Sequence, residues 1–433
     1  MSGAAHQPGV DLEAPGRHHA SIPVAVLAAT GLTLLVLLAV IPNLWYWIHD
    51  ISDIPVYGEY AAKMARGLRP FRDFKIEYPP LAVPVFRLPG HTADMDAYIH
   101  WFTLQMGAVT ILTAAVTAVV ACRLWPTGGR AYVSAALFAV CVAFTGAIIV
   151  NRYDVAVALL IAVLLLCLCE RWYIAAAFVL GLGFALKFTP AALLPLVLVL
   201  AGPPRRWLWP LAAFGAAAVA PFLPYLFSSP GGLWYVFEYH LGRPLQIESV
   251  LGTPMLMLQF LGFDIATWGH SHGSHSLVAP GADLAANLSG GLTLIALAAV
   301  YALVWRRRER LGAAKADLPL AVFAVIVALM TFGKVLSPQY FIWTLPVVAL
   351  VAARDKLLAA LSLAALLLTQ VEFPALYWQL LDMTRPALAV VITRNVLLAA
   401  MFGVAVWRLW ELPEGSREPA VKGGEARAAA PAA

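Results

Sequence analysis

Apolar runs of membrane-crossing length constrain this chain more than any other feature. A spanning helix needs about 20 mostly apolar residues, and about twelve runs approach or reach that length. They cover residues 22–42, 99–121, 131–150, 154–170, 172–186, 188–202, 207–227, 285–305, 317–333, 339–353, 356–371 and 387–409. Hydrocarbon offers no water to backbone N–H and C=O groups, so a crossing segment must satisfy them internally. The fold class expected is therefore all-α, a polytopic membrane protein. Composition agrees: 12% of residues are charged and 61% hydrophobic, against about 25% charged in soluble domains. The four cysteines lie in or at the ends of apolar runs, without metal-ligand spacing, and read as small core residues.

The run at 22–42 follows a polar stretch ending in Arg17, His18 and His19. It is long enough to span and lacks a small-residue cleavage site, so a retained first span is expected rather than a cleaved signal peptide. Residues 1–21 form a polar N-terminus, 22–409 the membrane domain, and 410–433 a disordered tail rich in Ala, Glu, Gly and Pro. Two long loops interrupt the membrane domain, at 43–96 and 228–284.

The runs 172–186 and 188–202 are short, and reading them as one broken helix would invert everything downstream. Charge favours two crossings. With the N-terminus cytoplasmic, one side then receives Arg123, Arg130, Arg171, Arg205, Arg206, the basic stretch 306–310, Lys315, Arg354, Lys356 and Arg408. The other side receives isolated cations only. Short loops rich in Arg and Lys mark the cytoplasm, so both termini are expected inside, at the plasma membrane.

The unusual polar residues then all fall on the outer side. They are the 43–96 loop, Asn151-Arg152-Tyr153-Asp154, Lys187-Phe188-Thr189-Pro190, the 228–284 loop, the segment 334–340 and Glu372. Such residues are costly near lipid and usually mark a pathway or a site, so one outer cavity is expected. In the first loop, Asp50 and Asp53 follow the first span. Residues 57–66 are expected to form a short amphipathic helix ended by Gly67, and Pro79-Pro80 to turn the chain back. A carboxylate at a dry boundary is a candidate general base. Arg72, Lys75, Arg152, Lys187, Arg243 and Lys334 are candidate phosphate ligands, with Asp154 orienting Arg152. Glu238, His240, Gln246 and Glu248, interleaved with aromatics, suit a sugar. A bland account stands beside each: solvated loop charge, interfacial anchoring, a snorkelling lysine. His270, His272 and His275 are spaced too loosely for a zinc site and read as a solvated polar loop. No charged relay is expected within the spans, and no nucleotide-cradling glycine loop occurs.

The segment DIPVYGEYAAKMARGLRPFRDFKIEYPPLAVPVF, at 53–86, resembles the first outer loop of glycosyltransferase family 87, whose members have the C-type glycosyltransferase (GT-C) fold. NRYDVAVALL, LKFTPAALLPL, YHLGRPLQIESV and LSPQYFIWTLP resemble further segments of that group, in the same order. Phe71 departs from it, standing where similar proteins often carry tyrosine. The resemblance covers most of 22–409, and its relatives are polyprenyl-phosphate-mannose-dependent mannosyltransferases common in actinobacteria. It implies an inverting transfer of a sugar, mannose first, from a polyprenyl-phosphate donor to an extracytoplasmic glycolipid or lipoglycan. Arabinose and glucose remain open. Asp53 maps onto the catalytic base, with Asp50 as the alternate. Arg152, Lys187, Arg243, Lys334, Arg72 and Lys75 would hold the donor phosphate. Tyr57, Glu77, Asp154, Glu238, His240, Glu248 and Gln339 would contact sugar or acceptor. The scheme needs no metal and no cofactor, and no nucleic-acid partner is expected. A lipid-linked sugar flippase and a structural envelope subunit are the competing readings.

Overall fold

The computed structural model describes residues 21–44, 51–90 and 94–414 and is helical almost throughout. Asp50, nearly all of the polar N-terminus and the tail from 415 lie outside the described residues. Every predicted apolar run is helical. Among the described residues, seven helices are long and apolar enough to cross a membrane: Ile22–Asn43, Met95–Leu124, Leu208–Ser228, Ala282–Arg306, Lys315–Phe332, Lys356–Ala375 and Arg385–Glu411. The protein is thus a multi-pass membrane protein. The other expected spans are shorter, at Arg130–Thr145, Asp154–Cys169, Tyr173–Leu186, Thr189–Ala201 and Tyr340–Ala352. The 16 residues of Asp154–Cys169 rise about 24 Å, less than the ~30 Å of a hydrocarbon core.

Several of these short helices are interior. Tyr340–Ala352 is buried on all faces from Phe341 to Val351, and Asp154–Cys169 is buried along most of its length. A helix apolar all round belongs in a core. Around them pack Met95–Leu124, Arg130–Thr145, Leu318–Phe332 and Lys356–Gln370. Asn151-Arg152, Lys187 and Gln339 sit at helix ends beside this core, so polar side chains reach the interior from one end.

The ambiguous pair 172–202 is two helices that reverse at Lys187-Phe188. Residues 171–175 line one cleft with Ala201, Arg205 and Arg206, so the second helix returns to the level where the first began. The Leu208–Val219 segment then packs tightly on Tyr173–Leu186. Their closest approach is at Gly181, where a Cβ would lie 2.4 Å from the Phe214 carbonyl oxygen and 2.7 Å from Ala217 Cβ. Small residues permit such backbone contact in membranes.

The 228–284 region is structured rather than an open loop. It holds the helix Pro230–Leu241, the helical segment Val250–Phe260 and a hairpin of Thr267–Ser271 with Ser274–Val278. That hairpin, the sole sheet among the described residues, turns at His272-Gly273, both with positive φ. This matches the primed turns that suit strand twist. The histidine-rich stretch is therefore a paired hairpin rather than an open loop.

The basic loops gather at the pole away from these segments. Arg123 pairs with Glu170 at 3.1 Å, Arg310 with Asp317 at 3.0 Å and Arg408 with Asp355 at 2.7 Å, while Arg171 donates to the Gly312 carbonyl at 2.8 Å.

Gly181→Leu is expected to overpack the 181/214 contact by about 1–3 kcal/mol and to lower the thermal midpoint of the purified protein. Gly215→Ala, on the facing helix with open space around it, should leave the midpoint unchanged. Equal midpoints for the two variants would refute the close contact.

Candidate functional site

A cavity of about 440 Å³ opens where all six predicted outer segments meet. The first loop contributes Asp53, Glu77 and Tyr78, and the helix ends contribute Arg152, Lys187 and Gln339. His240, Arg243, Gln246 and Glu248 form another wall, and the hairpin adds His272 and His275.

Asp53 directly precedes the helix Ile54–Ala65, started by Pro55 and closed by Gly67 at φ +85°. Its Oδ2 lies 3.0 Å from Arg152 Nε and accepts from the Tyr57 hydroxyl at 3.3 Å. The Arg152 contact is an ion pair off the N–H direction, since Nε makes no aligned hydrogen bond. Arg152 is 3% exposed and further fixed by Asn151 Oδ1 at 3.1 Å and the Phe373 ring at 5.7 Å. Tyr57 is buried among Tyr78, Phe86 and Tyr153. It does not line the cavity, and its hydroxyl donates to Asp53.

Asp154 does not orient Arg152. Its Oδ1 accepts from Lys187 Nζ at 2.5 Å and Trp343 Nε1 at 2.7 Å, while Oδ2 is buried without a partner. Arg152 has extended backbone and Asp154 opens a helix, so the two side chains diverge. Lys187 lies against the faces of Tyr153, Tyr340 and Trp343 at 4.9–5.4 Å and lines the cavity.

Glu77 accepts a hydrogen bond from the Tyr60 hydroxyl. Burial raises its carboxyl above the usual range, partly opposed by that bond. His240 Nε2 lies 3.0 Å from the Glu77 carbonyl oxygen. A carbonyl only accepts, so Nε2 carries the hydrogen and Nδ1 remains an acceptor. Burial, then the nearby Arg243 charge, pushes this imidazole down to about 4, and the ring stays neutral at physiological pH. Arg243 donates to Ser274 Oγ at 2.8 Å, while its buried Nε has no partner. Among the described residues it has no carboxylate partner within ion-pair distance, and its charge reaches Glu77, Tyr239, His240 and Lys334.

Glu248 is 1% exposed and accepts from Gln246 Nε2 at 2.5 Å. Burial, then the carboxylate of Glu372, pushes its carboxyl well above the usual carboxylate range, so the protonated form is favoured. Behind it lies a network that hydropathy concealed. Arg394, fully buried in the last span, pairs with Glu372 Oε2 at 3.0 Å and donates to the Glu248 carbonyl oxygen at 2.6 Å. Asn395 accepts from Arg394 and donates to Thr253 Oγ1 at 2.9 Å. A charged pair thus does lie within the spans. The signal was present: an arginine inside the apolar run 387–409.

Several expected site residues stand apart. Arg72 is exposed beside Asp73, and Lys75 is exposed over the Tyr235 ring at 4.5 Å. Glu238 is exposed on the outer side of its helix and does not line the cavity. Lys334 donates to the Leu241 carbonyl at 2.6 Å, satisfying the end of Pro230–Leu241 as cations do at helix C-termini. Phe71 is buried against Tyr225 at 4.7 Å, and its carbonyl receives Ser229 Oγ at 2.6 Å, so that position packs rather than reacts. Among the described residues, no three His, Cys, Asp or Glu side chains group as a metal site would.

Residues 283–384 match a family model described as mannosyltransferase (PIG-M), less than half of the chain. Among curated proteins none matches. The chain is similar to solved structures of ArnT from Cupriavidus metallidurans. The form bound to undecaprenyl phosphate is 16% identical, with 89% of this chain and 77% of that chain covered at a TM-score of 0.45. The apo form is 14% identical, with 89% and 76% covered at 0.44.

Arg394→Met is expected to strand the buried Glu372 carboxylate at a cost of about 3–5 kcal/mol and to abolish monodisperse protein. Adding Glu372→Gln should restore much of the loss, because the uncompensated charge is gone. Failure of the double variant to recover in size-exclusion and melting measurements would refute the pairing.

Proposed function

We propose that the chain is a membrane glycosyltransferase of GT-C architecture that moves a sugar, mannose first, from a polyprenyl phosphate to a hydroxyl of a glycolipid or lipoglycan. The carrying observation is the single cavity where Asp53 and Glu77 face Arg152, Lys187 and Arg243. The ordered segments of the family resemblance and the match of residues 283–384 to a mannosyltransferase model support the same reading. The gathering of basic loops at the opposite pole supports an extracytoplasmic site with both termini cytoplasmic.

Asp53 is assigned as general base, held toward the cavity by Tyr57 and Arg152. It takes the proton of the acceptor hydroxyl as that oxygen attacks the anomeric carbon from the face opposite the phosphate. The bond from the anomeric carbon to the phosphate oxygen breaks, configuration inverts, and the lipid phosphate leaves with the electron pair. Preorganised cations stabilise such charge most effectively in a site closed to water. Arg243 is the first of them, having an uncommitted Nε and no carboxylate partner; Lys187 is the second. The neutral His240 Nδ1 and the Gln246 and Gln339 amides suit sugar hydroxyls. Arg72, Lys75, Lys334 and Glu238 have no part in this scheme.

Asp53→Asn is expected to cut transfer from a polyprenyl-phosphate sugar by ~10²–10⁴-fold, while donor binding persists. Arg243→Gln should lower kcat as well as raise the donor KM, because it removes charge stabilisation of the leaving phosphate. Membranes carrying each variant and a radiolabelled donor provide the assay, and full turnover by Asp53→Asn would refute the base. A cysteine at the exposed Asp73 should react with an impermeant maleimide in intact cells; reaction only after lysis would overturn the orientation.

A further inference from the structure

A second cleft, of about 860 Å³, opens at the pole away from the cavity, between the start of Tyr173–Leu186 and the start of Leu208–Ser228. Its wall carries Arg171, Arg205 and Arg206 and no carboxylate. Arg171 gives one Nη2 donor to the Gly312 carbonyl. Arg205 and Arg206 form no ion pair among the described residues. Arg171 and Arg206 line the same cleft as Tyr173. A neighbouring cleft of about 430 Å³ is different: its Arg354 pairs with Asp317 and its Arg408 with Asp355 and Glu411. Positive charge is neutralised internally there and left open here.

The rest of the cleft is aromatic and apolar. Trp172, Phe178 and Trp209 line it at 57%, 45% and 69% exposure. Interfacial tryptophans sit at headgroup depth, and guanidinium forks match phosphate oxygens in pairs. Arg171 also holds φ +60°, a conformation glycine adopts far more readily, directly after the helix Asp154–Cys169.

We infer that this cleft binds an anionic phospholipid, with its phosphodiester on Arg171, Arg205 and Arg206 and its acyl chains along Phe178 and Trp209. The site is separate from the proposed donor cavity and independent of the transfer chemistry. Its occupant would clamp the Tyr173–Leu186 and Leu208–Ser228 helices at the ends farthest from that cavity.

The test uses full-length protein in nanodiscs of phosphatidylcholine with and without phosphatidylglycerol, followed by native mass spectrometry of the released protein. Wild type should retain phosphatidylglycerol in preference to phosphatidylcholine. Arg205→Gln with Arg206→Gln, both exposed and remote from the core, should reduce that preference roughly tenfold, the scale of one charge-assisted hydrogen bond. Inorganic phosphate, added alone in detergent, should raise the thermal midpoint less than phosphatidylglycerol does. Equal retention of both lipids by wild type, an unchanged preference in the double variant, or a phosphate effect equal to that of the lipid would each overturn the assignment. Because the readout is lipid retention, a failure here leaves the transferase reading untouched.

Discussion

A guanidinium buried in the last span holds the cavity together from behind. Arg394 has no exposed surface, and its donors go to Glu372, Asn395 and the Glu248 carbonyl. Those partners belong to three separate stretches: the end of Lys356–Ala375, the last helix itself and the wall at 245–253. An unpaired ion at this depth would cost several kcal/mol, so the three stretches are obliged to meet. The π-turn at Val371–Ala375 is where this obligation shows, because it turns Glu372 inward to Arg394 while Phe373 faces the cavity.

Ion pairing then decides which cavity charges remain available. Arg152 is committed to Asp53 and Asn151, and Lys187 to Asp154 and three aromatic faces. Glu248, buried beside Glu372, is disfavoured as a carboxylate. Arg243 keeps an uncommitted buried donor. Among the cavity cations, Arg243 is therefore the one without a carboxylate partner among the described residues.

The sequence carried the coarse plan and missed the pairings. Apolar length placed every long helix, and the Arg/Lys bias correctly grouped the segments that meet at the cavity and those that meet at the other pole. The wrong pairing of Arg152 with Asp154 has a simple cause. The two are neighbours in the chain, but residues two apart do not face each other once a helix begins between them. Asp53, about a hundred positions away, is the true partner. Arg394 escaped because hydropathy averaged over a span absorbs one charge, although that averaging is what makes a lone charge informative. The hairpin at 267–278 escaped because His and Ser carry little strand signal, and only the turn chemistry at His272-Gly273 betrays it.

The same reasoning separates cations that act from cations that build. Charge near a boundary is common to Arg72, Lys75, Lys334 and Arg243, and sequence alone ranks them equally. Placement ranks them differently. Lys334 satisfies the open carbonyls of a helix end, and Arg72 and Lys75 are screened by water, where an ion contact is worth little. Arg243 is partly desolvated, has no carboxylate partner among the described residues and lines the cavity as a guanidinium donor. Low local dielectric multiplies what that donor can do for a phosphate, and it equally makes an empty site costly. A cation kept in such a place without a carboxylate partner among the described residues is one that an anionic ligand would complement.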